Sequence, residues 1–213
     1  MRNLFPCIDR DFQRTLTILN GKCIWQNRTK SNEIVIPQGT KKIKGYAFSN
    51  RDKMTSVIIP DSVTEIGEHA FSGCTGLTSV VIPNSVTKIE ARAFRSCSSL
   101  TSVVIPDSVK EIGEGAFACC TALTSIVIPD SVTEIGRGAF ACCTALTSIV
   151  IPDNVTEIGE RAFAQCTSLT SVRIPHGVTE IKAETFSVGV RSGAWSLNSG
   201  TFASRRFGVS SQA

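Results

Sequence analysis

The chain has 213 residues, a net charge of +4 at pH 7 and 42% hydrophobic residues, which is the composition of a well-packed folded protein. Two His and one Tyr leave little material for acid–base catalysis. No apolar run is long enough to span a membrane as a helix. Residues 1–53 carry a charge of +7 and residues 54–186 a charge of −6, which argues against a nucleic-acid groove along the body of the chain.

The first 30 residues differ in pattern from the rest of the chain. Leu16, Ile18 and Ile24 alternate with polar residues around Asn20-Gly21, a strong signal for a hairpin. We therefore predict that residues 1–30 form an N-terminal β cap or an irregular segment. A cap would cover the first edge of a parallel sheet, where backbone groups are otherwise unpaired.

The N-terminal segment also bears on location. Residues 1–14 carry charges where a signal peptide would have its apolar region. The expected location is cytoplasmic if Met1 is the true start. It is the cell surface, or outside the cell, if the chain is a fragment of a longer protein.

A 23-residue repeat fills residues 31–186. Ile-Pro pairs, single Ile residues and single Phe residues each recur seven times at this interval. The Phe column comprises Phe48, Phe71, Phe94, Phe117, Phe140, Phe163 and Phe186. A fixed period of this length indicates a solenoid, in which each repeat buries its apolar side chains only against its neighbours. We predict seven stacked repeats in one elongated domain.

One repeat, residues 77–99, shows how the chain should fold locally. Leu77, Val80 and Ile82 follow a spacing that turns them inward, and the strand they mark should pair in parallel with its counterparts in adjacent repeats. Further interior positions are predicted at Val86, Ile89, Ala93, Phe94 and Cys97. Each strand is followed by Pro, which ends the ladder, and in most repeats by Asp or Asn and then Ser, which favour a turn.

Four of the repeats have a glycine at the same position, which we call the glycine column. Gly67, Gly113, Gly136 and Gly159 share one repeat position with Lys44, Glu90 and Lys182. Because Lys and Glu occur in the same column, the backbone there need not have a positive φ.

The full pattern, L-x-x-V-x-I-P-x-x-V-x-x-I-x-x-x-A-F-x-x-C, resembles the BspA-type leucine-rich repeat, which is related to the treponemal class. The resemblance implies a repeat solenoid, a leucine-rich-repeat horseshoe with a parallel β-sheet on its concave face. Members of this family are often adhesin-like surface proteins that bind host or matrix proteins. The expected function is thus binding, without an enzymatic activity.

The outward positions of the predicted strands are the candidate partner-binding site. They form a column of hydroxyls beside a column of β-branched side chains on the concave face. The residues are Ser79, Val81, Ser102, Val104, Ser125, Val127, Ser148, Val150, Ser171 and Arg173. An exposed apolar stripe is typical of a contact site, whereas β-branched residues also favour strands for their own sake. The sequence leaves both explanations open.

Other columns could carry chemistry, but we predict no catalytic residue, metal site or cofactor. Five Cys, one in each of five repeats, should be buried structural thiols: Cys74, Cys97, Cys120, Cys143 and Cys166. Cys119 and Cys142 form a second column that should face outward. Acidic columns through Glu111 and Asp107 are expected to be solvated, and no G-x-S-x-G, P-loop or H-E-x-x-H motif occurs.

Two main functions remain, of different classes. The first is a non-enzymatic module whose concave sheet binds another protein or an extended polymer. The alternative is a structural spacer or self-assembling unit joined through the solenoid ends. A third, the ordering of water or a crystal surface, lacks the T-x-T rows that it requires. Residues 187–213 form a Ser/Gly-rich tail that we expect to be partly disordered, or to fold back over the last repeat.

Overall fold

A computed structural model of the chain describes residues 32–182 and 184–186 fully, together with the backbone of residues 14–19, 22–27 and 195–197. The described residues form strands and turns, without an α-helix. Consequently, the described part of the chain offers no helix with the length and apolar character of a membrane span. Most of the predicted tail, at residues 187–194 and 198–213, lies outside the described residues.

The N-terminal strands form an antiparallel pair. β1 (Arg14–Leu19) pairs with β2 (Lys22–Asn27), and Leu19 lies opposite Lys22. This register leaves two residues for the connection, which agrees with the hairpin predicted around Asn20-Gly21. The assignment of residues 1–30 as a cap stays a prediction.

Each coil of the solenoid places its longer strand on one side of the molecule, which we call the strand face. These strands are β3 (Glu33–Val35), β5 (Ser56–Ile58), β7 (Ser79–Val81), β9 (Ser102–Val104), β12 (Ser148–Val150), β14 (Ser171–Ile174) and β15 (Trp195–Leu197). They pair in parallel, and equivalent residues of successive coils are in register, as Val80 is with Val103. The predicted parallel sheet and 23-residue coil are therefore confirmed.

A second parallel sheet runs along another side. Its strands, in spatial order, are β4 (Lys42–Ile43), β6 (Glu65–Ile66), β8 (Lys88–Ile89), β10 (Glu111–Ile112), β11 (Glu134–Ile135) and β13 (Glu157–Ile158). Between the two sheets, the Pro carbonyl accepts a hydrogen bond from the residue three positions later, as Pro83 does from Val86 at 3.0 Å. The turn predicted after each Pro is therefore present in all seven repeats.

The third side is a six-residue turn that we call the corner segment, residues 68–73 in the second coil. Alternate N–H groups donate to carbonyls of the next coil: His69 to Ala91 at 3.0 Å, Phe71 to Ala93 at 2.8 Å and Gly73 to Arg95 at 2.7 Å. Hydrogen bonds between coils thus join all three sides of the solenoid. They satisfy buried backbone groups that a coil could not pair on its own.

Two columns of the corner segment have left-handed backbone. The first comprises Tyr46, His69, Arg92, Gly115, Gly138, Arg161 and Glu184, with φ between 54° and 61°. The second comprises Asn50, Gly73, Ser96, Cys119, Cys142 and Gln165. A non-glycine residue in this conformation costs about 1–2 kcal/mol, so the cross-coil hydrogen bonds must offset that strain in every coil.

The core is a set of stacked identical columns. All interior positions predicted for residues 77–97 are buried, including Val80, Ile82, Phe94 and Cys97 at 3% exposure or less. Phe rings of successive coils stack with centroids 5.2–5.6 Å apart. In the first repeat Thr40 replaces the usual Val and is buried, and its Oγ1 donates to the Pro37 carbonyl at 2.8 Å.

The glycine column is required by close backbone approach, since none of its members has a positive φ. A Cβ added to Gly136 would lie 2.8 Å from the Glu114 nitrogen and 2.9 Å from the Ile112 carbonyl oxygen. The Gly136 N–H donates to that same carbonyl at 2.7 Å. In the Glu90 coil the equivalent bond, to Ile66, is not among the described backbone hydrogen bonds. A side chain at this position is therefore accommodated without that hydrogen bond.

Replacing Gly136 with Ala should lower the free energy of unfolding by about 1–3 kcal/mol, the usual effect of overpacking. The physical reason is that the new methyl group and the Gly136–Ile112 hydrogen bond require the same space. Urea unfolding followed by circular dichroism would measure the change. Glu90→Gly serves as the matched control and should stay within about 1 kcal/mol of wild type, because Gly adds flexibility while restoring the bond. A Gly136→Ala protein as stable as wild type would contradict the close approach.

Candidate partner-binding surface

An apolar stripe runs along the strand face. Val81, Val104, Val127 and Val150 are 63%, 57%, 79% and 60% exposed, and Val35 and Ile58 extend the stripe toward the N-terminal end. Each lies between inward-facing neighbours, because successive residues of a strand point to opposite sides. The structure thus places all the predicted β-branched residues on one surface. That this surface binds a partner stays a prediction.

Two columns of hydroxyl side chains, one of Thr and one of Ser, precede the Val position of the stripe in the repeat. Ser79, Ser102, Ser125, Ser148 and Ser171 are all exposed, as the sequence predicted for the hydroxyl column. The preceding Thr residues are exposed as well, but their hydroxyls bond within the solenoid: Thr78 Oγ1 donates to the Thr55 carbonyl and Thr101 Oγ1 to the Thr78 carbonyl, both at 3.1 Å. The Thr column therefore strengthens coil stacking, and the Ser column offers hydroxyls to solvent.

The strand face is interrupted in the coil that carries Val127. Residues 125–127 make a single bridge, Val104 to Val127, instead of a strand. The same Ser-Ile-Val triplet forms β12 one coil later, so local sequence is not the cause. The coils are slightly further apart here: the Phe117 and Phe140 ring centroids lie 5.6 Å apart, and the Thr147 N–H reaches the Thr124 carbonyl at 3.3 Å. The continuous sheet expected from sequence is split at this point.

Arg173 ends the apolar stripe with a charge. Its guanidinium Nη2 lies 3.1 Å from Asp153 Oδ1 and 3.4 Å from Oδ2, and both side chains are exposed. Asp153 belongs to an acidic column expected to be solvated, and in this coil the carboxylate is instead paired. Because Arg173 occupies the same column as Val150, a long cationic side chain fits at an outward strand position.

The acidic column beside the second sheet contains lysines that interrupt it. Two of its lysines form ion pairs: Lys88 Nζ lies 2.9 Å from Glu111 Oε1, and Lys42 pairs with Glu65. Lys182, which belongs to the glycine column, pairs with Glu157. The hydrogen bond that Lys88 donates to Glu111 raises the pKa of Lys88. These are exposed pairs on a surface, each worth ~0–1 kcal/mol.

The Cys column is buried in the core and bonded to the backbone. Each thiol donates to the carbonyl of the Phe 26 residues earlier, as Cys97 does to Phe71 and Cys120 to Phe94, both at 3.2 Å. Burial raises the pKa of Cys74 to about 11 and that of Cys166 to about 12, and raises that of Cys120 well above its ordinary value. These thiols are free and structural, as their position in the repeat indicated.

The corner segment carries an exposed aromatic that the sequence did not single out. Tyr46 is 61% exposed, and its ring stacks on His69 with centroids 4.7 Å apart and an interplanar angle of 9°. Glu68 lies 3.6 Å from His69 Nε2. The sequence contained a signal for this stacked pair, because Tyr46 is the single tyrosine of the chain and shares a repeat position with His69.

The fold and its repeated columns define a leucine-rich-repeat solenoid. The protein-family model described as BspA type leucine rich repeat region matches residues 17–144 and 66–191, with six copies. The chain therefore belongs to this family. Among curated proteins, none matches the chain.

Solved structures of bacterial repeat proteins are similar to this one. A leucine-rich repeat protein from Bacteroides ovatus has 36% identity and a TM-score of 0.65, over 68% of this chain and 38% of that one. The T. pallidum leucine rich repeat protein has 31% identity and a TM-score of 0.59, over 78% of this chain and 91% of that one. A leucine rich cell surface protein from Faecalibacterium prausnitzii has 32% identity and a TM-score of 0.53, over 73% of this chain and 56% of that one. The chain thus spans well under two thirds of the length of the Bacteroides and Faecalibacterium proteins.

Proposed function

We propose that this protein is a non-enzymatic binding module whose strand face contacts another protein or an extended polymer. The observation that carries the proposal is the apolar stripe, Val81 to Val150, exposed along successive coils. Exposing apolar surface in a continuous row is unfavourable unless a partner covers it. The similarity to a protein named as a cell surface protein supports a role in contacts outside the cell.

The repetition of the stripe favours a partner of regular chemistry. The same Val and Ser side chains return in four successive coils, from Ser79 to Val150, at a spacing of ~4.8 Å along the solenoid axis. Surfaces that select one globular protein usually contain varied aromatic and Arg anchors near their centre. On this face, within residues 32–182, Arg173 is the one residue of the outward column that is neither Val nor Ile. An extended chain running along the axis could contact several equivalent coils at once.

Binding can be tested by placing charge on the stripe. Val81, Val104 and Val127 would be changed to Lys together, and we expect at least about a tenfold loss of retained partner, because lysines would have to be desolvated in the contact. The measurement compares partners from the source organism's extract and surface fraction retained by each immobilised protein. Arg173 shows that the outward position accepts a long cation, so the fold should be preserved.

The matched control adds the same charge elsewhere. Thr87, Thr133 and Thr156 are exposed beside the second sheet, and Lys110 occupies their column naturally. Their triple change to Lys should leave partner retention at the wild-type level. Equal retention by all three proteins would show that the strand face is not the binding site.

A structural role is the second candidate, and one observation favours it. Ile181 and Phe186 are partly buried, whereas their equivalents in the interior coils are fully buried. In the last coil whose side chains the structure describes, these two apolar residues are therefore partly exposed, and another copy could cover them. Under this alternative, sedimentation velocity would detect oligomers that Ile181→Lys dissociates and that the strand-face substitutions leave intact.

A further inference from the structure

The second left-handed column brings two cysteines together on the corner of the solenoid. Cys119 and Cys142 lie in successive coils, both with φ of 61°, and both are half-buried. The Cys119 N–H donates to the Ala141 carbonyl at 2.7 Å, which is the carbonyl of the peptide bond to Cys142. This bond holds the two Cα atoms about one coil spacing apart, ~5 Å, and disulfides bridge Cα atoms 4.4–6.8 Å apart.

These two thiols differ from the cysteines next to them in sequence. Cys120 and Cys143 are fully buried and donate to the carbonyls of Phe94 and Phe117, each at 3.2 Å. Cys142 Sγ instead lies on the half-exposed corner, 3.5 Å from Gln165 Oε1. Burial raises the pKa of Cys142, and the adjacent Cys119 thiol raises it further.

We propose that Cys119 and Cys142 form a cross-coil disulfide when the protein meets a low-molecular-weight disulfide, while the five interior thiols stay reduced. One protein thiolate attacks the small disulfide, forming a mixed disulfide and releasing one small thiol. The second protein thiolate attacks the protein sulfur of that mixed disulfide and releases the second small thiol. The protein pair loses two electrons and two protons, which the small disulfide takes up as two thiols.

The crosslink would restrain one particular coil. Residues 119–142 form one complete turn of the solenoid, and that turn contains Val127, where the strand face is reduced to a single bridge. Closing this loop covalently removes conformational freedom from the unfolded chain. The oxidised protein should therefore melt several degrees higher than the reduced protein. Any effect on partner binding rests on the proposed function, whereas the disulfide chemistry does not.

The experiment uses the full chain with Cys7→Ser and Cys23→Ser, because Cys7 lies outside the described residues and only the backbone of Cys23 is described. Folded protein is treated with oxidised glutathione, blocked with N-ethylmaleimide and digested with trypsin. We expect the loss of two thiols per chain and one linked pair of peptides, 111–137 with 138–161, whose fragmentation places the bond between Cys119 and Cys142. Cys119→Ser should abolish this linked pair.

A relocated pair tests the geometry independently. Ser96 precedes Cys119 in the same column, so Ser96→Cys combined with Cys142→Gln should link peptides 96–110 and 111–137 instead. Circular dichroism would confirm that each variant is folded before oxidation. The proposal is overturned if wild type retains all its thiols, links Cys120 to Cys143, crosslinks between chains, or stops at a stable glutathione adduct.

Discussion

Replacing Phe117 with Ala is expected to lower the free energy of unfolding by about 3–5 kcal/mol, the range for a large buried aromatic. Phe117 is fully buried, and its ring stacks on Phe94 at 5.4 Å and on Phe140 at 5.6 Å. The substitution therefore leaves a cavity and removes two aromatic contacts at once. Cross-coil hydrogen bonds fix the spacing of the neighbouring coils, so little neighbouring structure can collapse into the space.

Urea unfolding followed by far-ultraviolet circular dichroism would measure the loss. Val104→Ala in the same coil is the control for a change on the exposed side, and it should alter the free energy by no more than about 0.5 kcal/mol. Phe186→Ala should fall between the two, since Phe186 is only partly buried where it stacks on Phe163 at 5.3 Å. A Phe117→Ala loss below about 1 kcal/mol would show that the Phe column is not a packed core.

The interior of this solenoid was predictable from sequence because each column is repeated. A single Ile or Phe is ambiguous, but Phe71, Phe94 and Phe117 at equal spacing have one common explanation, a shared buried position. The same reasoning placed Val81 and Val104 outside, since strand alternation sets them opposite Val80 and Val103. Comparing repeats within one chain thus supplied the information that an isolated segment lacks.

The corner segment was not predictable in the same way. Its left-handed positions hold Arg92 and Arg161 as well as Gly115 and Gly138, so residue type does not report the backbone conformation. Cross-coil hydrogen bonds impose that conformation, and they exist only after stacking. Likewise, the need for Gly136 arises from the backbone of the preceding coil rather than from its own φ. Tertiary contacts determine both features.

The candidate surface was predicted in part. Strand alternation identified its residues, but the break at Val127 depends on small differences in coil spacing, and the Arg173–Asp153 pair depends on where two exposed side chains meet. Neither follows from a repeat pattern in which the flanking residues are almost identical. That a partner of regular, partly apolar chemistry binds this surface is our proposal, argued from the repeated Val side chains of the stripe.

The interior thiols lead to a second large expected effect, a steep loss of stability at alkaline pH. Burial raises the pKa of Cys74 to about 11 and of Cys166 to about 12, and the pKa values of Cys97, Cys120 and Cys143 are raised as well. In the unfolded chain the same thiols should ionise near their ordinary pKa of about 8.5. Between these limits the unfolded state binds fewer protons than the folded state, so the free energy of unfolding must fall as pH rises.

Each such thiol contributes a slope of about 1.4 kcal/mol per pH unit, and five together about 7 kcal/mol per unit. Stability should be nearly constant below pH 8 and then fall steeply from about pH 8.5, until Cys74 begins to ionise in the folded state near pH 11. Urea unfolding under reducing conditions at pH 8, 9 and 10 would measure this slope. Cys97→Ala should reduce it by about one fifth, whereas Ser102→Ala on the exposed strand face should leave it unchanged. An equal slope in Cys97→Ala and in wild type would contradict the prediction, because it would mean that Cys97 ionises equally in the folded and unfolded states. Cys97 is fully buried, so we expect it to keep its proton in the folded state.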